Sequence, residues 1–86
     1  MSTREKFDEF IRLCKVTLAT LNSDRVSDLR VRIARAYEEF LNSLPEDRRN
    51  DTLVTMSGRA VPRTEIPRLI LEDDEFFMLI LRVYGR

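Results

Sequence analysis

Leu69–Arg86 reads LILEDDEFFMLILRVYGR and satisfies two templates at once. As a strand pair, Leu69–Leu71 joins Phe76–Tyr84 across a turn at Asp73-Asp74. As a helix, the acidic cluster Glu72–Glu75 complements the positive end of the dipole, Phe77, Ile80, Leu81 and Tyr84 form a stripe, and Gly85 terminates it. The density of aromatic and β-branched residues, with Leu69-Ile70-Leu71 as a ready partner, favours the strands. The strand reading sets Phe77, Leu79, Leu81 and Val83 on one face and Phe76, Met78, Ile80 and Tyr84 on the other, so both faces call for burial. Two helices in a chain of 86 residues cover only one face of a sheet.

Just upstream, Thr52–Met56 (TLVTM) is rich in β-branched residues, Ser57-Gly58 supplies a turn, and Arg59-Ala60-Val61 completes an expected hairpin. Pro62 and Pro67 each remove an amide and fix φ, which predicts an extended, edge-like stretch between them. Before the hairpin, Pro45–Asp51 (PEDRRND) is charged and turn-rich and reads as a surface loop with at most one irregular helical turn.

The first half is helical in pattern. Ser2 and Glu5 have capping-box spacing, which predicts a helix starting near Thr3. Phe7, Phe10, Ile11, Cys14, Leu18 and Leu21 recur at three- and four-residue steps on one stripe. Asn22, Ser23 and Asp24 interrupt it, with Asp24 or Ser27 available to cap a second helix. That helix carries Leu29, Ile33, Ala36, Tyr37, Phe40 and Leu44 on one face and ends before Pro45. So short a link predicts an antiparallel pair. The expected architecture is α+β in a single domain 1–86: a helix hairpin over 3–44, a loop over 45–51 and a β-rich half over 52–85 packed as a small antiparallel sheet. A compact all-α bundle is the alternative.

Composition narrows function more by exclusion than by assignment. Fifteen basic and fifteen acidic residues cancel, so no global field draws the chain to nucleic acid or an anionic membrane. No run approaches the roughly 20 apolar residues that cross a bilayer, and MSTREKFDEF is too acidic for a signal peptide, which predicts a cytoplasmic protein. One cysteine and no histidine leave little for a disulfide framework or a zinc site. Cys14 lies within the first helix's apolar stripe, where a thiol behaves as a small buried hydrophobe, and no imidazole is present to activate it. The EDDE cluster lacks the spacing of an EF-hand loop, and Ser57-Gly58-Arg59 has too few glycines for a phosphate cradle. No enzyme site, cofactor or metal is expected.

Two binding readings remain. The apolar surplus predicts a protein-protein interaction module, acting as a regulator, adaptor or inhibitor and homodimeric through its C-terminal half. Phe76, Met78, Ile80 and Tyr84 would form its contact surface, with Leu13 and Val16 off the main stripe of the first helix. The alternative is a nucleic-acid-binding accessory protein that uses Arg59, Arg63 and Arg68, although no aromatic residue is interleaved there to stack a base.

Overall fold

Ser2 and Glu5 close the expected capping box: the Glu5 amide donates to Ser2 Oγ at 3.2 Å, and the Ser2 amide donates to Glu5 Oε1 at 3.3 Å. This computed structural model describes residues 2–54, 58 and 60–86. From the cap, α1 runs over Thr3–Ala19 and α2 over Val26–Ser43. Neither Asp24 nor Ser27 caps α2, which starts after Arg25 without a side-chain cap; Ser23 Oγ instead accepts from the Arg25 amide in the preceding turn. Thr3 Oγ1 donates to the Ser43 carbonyl at 3.1 Å, joining the start of α1 to the end of α2 as an antiparallel pair requires.

A single four-residue turn, α3 (Glu46–Arg49), occupies the charged segment. Strands β1 (Thr52–Val54) and β2 (Ala60–Pro62) then pair antiparallel, with Leu53 opposite Val61. Gly58, in the connection between them, has φ +73°, a conformation that glycine adopts without steric cost. Residues 55–57 and Arg59 of the expected hairpin lie outside the described residues.

The α+β expectation fails beyond Pro62. A 3₁₀ turn (Arg63–Glu65) leads into α4 (Ile66–Glu72), and α5 (Asp74–Tyr84) follows after one residue. Pro67 lies in the first turn of α4 rather than in an edge strand; a proline there lacks only an amide that has no intrahelical partner. Asp73, extended at φ −114° and ψ 108°, separates α4 from α5, and its carboxylate accepts the Phe76 amide at 3.0 Å. Phe76, Phe77, Ile80 and Leu81 are all buried, at helical steps of one, three and one. The second apolar face of the strand reading does not exist: residues that alternate between faces at a period of 2 converge on one stripe at 3.6. The fold is predominantly helical.

Helix α1 packs on α2 and α5, and α4 packs on the same two, which closes a ring of four helices. The ring encloses Phe10 and Cys14 of α1, Ile33 and Tyr37 of α2, Ile66 and Ile70 of α4, and Leu81 of α5, while Val61 of β2 plugs one side. Arg30 ties the α4–α5 break to α2. Its Nε donates to the Ile70 carbonyl, its Nη1 meets Asp74 Oδ1 at 2.8 Å, and its guanidinium lies 4.6 Å from the Phe77 ring centroid. No helix among the described residues is long and apolar enough to cross a membrane.

Candidate protein-docking groove

Helix α2 buries Ile33, Ala36, Tyr37 and Phe40 in the ring, and its neighbouring face turns toward α4. Between α2 and α4 lies an open groove of about 740 Å³. Its floor includes Ala34 and Leu41, 3% and 5% exposed, and its walls carry Val31 from α2 and Leu71 from α4, 42% and 47% exposed. Two large aliphatic side chains thus stand in water on opposing walls above an apolar floor. Elsewhere among the described residues the exposed large apolar side chains are Val16, Leu21 and Val83, none of which lines this groove.

The rim is charged with both signs. Arg35 and Glu38 of α2 line it and form no ion pair with any described residue. On the α4 wall, Arg68 is shared between Glu72 at 3.2 Å and Glu65 at 3.6 Å. Arg49 closes one end, where its Nε is 3.1 Å from both the Leu41 and Leu44 carbonyls and its Nη2 donates to the Asn42 carbonyl at 3.0 Å. These acceptors lie at the end of α2, where among the described residues only the Leu41 carbonyl also accepts a backbone amide, that of Leu44, so α3 positions Arg49 as a cationic C-terminal cap. Apolar contact inside a polar rim is the anatomy of a protein-docking surface.

The surface expected from the sequence is largely interior. Phe76, Ile80 and Leu13 are buried in the ring, Met78 and Tyr84 are half-buried against it, and Val16 alone of the six is exposed. Of the three arginines of the nucleic-acid reading, the two described ones each have an acidic neighbour. Arg63 is mostly buried beside Asp51, Arg68 is neutralised within α4, and Arg59 lies outside the described residues. Cys14 is fully buried, and desolvation pushes its thiol up from the ordinary 9.0 to about 12. Among the described residues no cluster of three histidine, cysteine or acidic side chains is arranged to hold a metal ion.

Sequence reading missed Val31 and Leu71 as a pair. Val31 stands off the main stripe of α2, and Leu71 was assigned to a strand. The available signal was a helical period across Ile66–Glu72, which puts Pro67 and Leu71 one turn apart on the face next to that of Ile66 and Ile70. No family model, curated protein or solved structure matches this chain.

Proposed function

We propose that this chain is a protein-protein interaction module whose α2/α4 groove receives an amphipathic helix from a different protein. The carrying observation is the exposure of Val31 and Leu71 on facing walls above Ala34 and Leu41. A concave, elongated apolar surface between two helices suits a ridge of side chains spaced at i, i+3/i+4 and i+7. The rim supplies register: Arg35 and Glu38, one turn apart on the α2 wall, each seek a partner of opposite sign along one side of that ridge.

A second copy of the chain is a poorer occupant. A two-fold contact through this face sets groove against groove and leaves both floors unfilled. The homodimer expected from the sequence draws on a two-sided apolar strand, and the burial of Phe76, Phe77, Ile80 and Leu81 in α5 supports a different occupant.

A photo-crosslinking residue at position 71, expressed in the source cells, tests the reading. A discrete protein adduct is expected from position 71 and none from the still more exposed Val83 position, and adding Val31→Asp should abolish it. An adduct at twice the chain mass would assign the groove to a second copy. A nuclease-sensitive adduct would assign it to nucleic acid, and no adduct at position 71 would refute the docking site.

A further inference from the structure

On a different side of the ring, a second cavity of about 490 Å³ opens among Phe7 of α1, Phe40 and Tyr37 of α2, Tyr84 of α5 and Arg63 of the 3₁₀ turn, with Arg4 also lining it. Its walls are aromatic. Phe7 lies 4.8 Å from Phe40 and 5.7 Å from Tyr84 between ring centroids, the latter contact edge-on at 89°. Phe10 lies 5.0 Å from Tyr37 and 5.7 Å from Phe7 between ring centroids, so the walls are held by a further ring behind them. Offset and edge-on contacts of this kind fix ring orientation and resist collapse.

The polar groups in this apolar setting are donors. Arg63 is 26% exposed, and the acidic group beside it, Asp51, is 3.9 Å away, longer than a hydrogen bond. Its Nε is buried and has no hydrogen-bond partner among the described residues, a costly state for part of a charged group. Burial pushes the Tyr37 phenol up to about 12 and raises that of Tyr84, so both hydroxyls keep their protons at neutral pH. The cavity therefore combines ring surfaces with a guanidinium and protonated hydroxyls, and no carboxylate lines it.

We propose that this cavity binds a small aromatic carboxylate, with its ring among Phe7, Phe40 and Tyr84 and its carboxylate met by Arg63. Two-part complementarity selects this class. A bare phosphate or a short aliphatic acid leaves the rings facing water, whereas a neutral ring leaves the guanidinium with no anionic neighbour closer than Asp51 at 3.9 Å. The volume lies in the range of about 300–1,000 Å³ typical of small-molecule sites. The site is separate from the α2/α4 groove and does not depend on the reading given for it.

The two tyrosines of the chain both line this cavity and there is no tryptophan, so intrinsic tyrosine emission reports on its occupancy. Titration with 3-phenylpropanoate, which absorbs little at tyrosine excitation wavelengths, should give a saturable emission change. Propanoate and 3-phenylpropanamide should each bind at least about tenfold more weakly, the loss expected when a charge-assisted hydrogen bond or the ring contact is removed. Arg63→Gln should weaken phenylpropanoate to the level of the amide, and Leu71→Asp should leave it unchanged. Absence of saturation with phenylpropanoate, or equal affinity for acid and amide, would overturn the proposal. Should Arg63→Gln fail to fold, the acid-amide comparison on the native protein still decides.

Discussion

Cys14 and Tyr37 are buried on the neighbouring helices α1 and α2, and that sets how the protein responds to base. Desolvation holds the Cys14 thiol up from 9.0 to about 12 and the Tyr37 phenol up from 10.0 to about 12. For each group the folded state keeps the proton to higher pH than the unfolded chain. The stabilisation is fully present below the unfolded values and is lost as pH rises through that window. A tenfold change in an ionisation constant corresponds to about 1.4 kcal/mol, so the two groups together are large against a total stability of about 5–15 kcal/mol. Thermal melts should therefore hold level from pH 7 to 9 and fall steeply between pH 9 and 12. Cys14→Ala should remove part of that fall while costing roughly 1 kcal/mol at pH 7 for the small cavity. Slow labelling of the native thiol at neutral pH is the companion result, and rapid labelling would contradict both its burial and its protonation.

At the scale of elements, the break between α4 and α5 concentrates several local devices. Asp73 caps α5 through the Phe76 amide, so Asp73→Ala should lower stability by about 1 kcal/mol. Arg30 holds the same corner in two ways, and their exposures rank them. Its ion pair reaches Asp74, which is 91% exposed and screened by solvent, whereas its bond to the Ile70 carbonyl and its place over Phe77 lie on the part-buried side. Asp74→Asn should thus cost less than about 1 kcal/mol and Arg30→Ala clearly more, as denaturant melts would show. Gly85 ends α5 against α1, where a Cβ would collide with the Leu81 carbonyl of α5 itself and lie 3.0 Å from the Cys14 carbonyl, so Gly85→Ala should distort the end of α5 and its contact with α1. Much of this was legible in the residues: the Ser2-Glu5 cap, the two stripes, the short link and the Gly85 terminator all point to the helices that form. What misled was residues 66–84. Dense apolar residues fit a strand by composition, yet among them only Ile66, Ile70, Ile80 and Val83 are β-branched, and the rest of the apolar set is Leu, Met, Phe, Tyr and Pro. Asp73 was legible as a break in either template; choosing between turn and cap required knowing that α2 stood ready with Arg30 to receive a helix. The groove was illegible for a related reason, since Val31 and Leu71 lie 40 positions apart and meet only once α4 exists.

For the whole molecule, the decisive distinction is between apolar residues that close the ring and apolar residues left in water. Leu13, Phe76 and Ile80 belong to the first class and Val31 and Leu71 to the second. A carboxylate placed at Ile80 has no buried cation to meet it and must be desolvated or drag α5 out of the ring, so Ile80→Asp should unfold the protein. At Val31 or Leu71 the same substitution meets water, and the stability change should stay near 0.5 kcal/mol in either direction. Ultracentrifugation supplies the second half of the comparison. With no groove-to-groove contact, the native chain should sediment at its 10.2 kDa mass at high micromolar concentration, and Val31→Asp and Leu71→Asp should leave that value unchanged. A dimer that both variants dissolve without loss of far-ultraviolet signal would move the groove from a foreign helix to a second copy. A folded Ile80→Asp protein of native melting temperature would contradict the packing of α5 itself, and with it the division of apolar residues on which the docking surface rests.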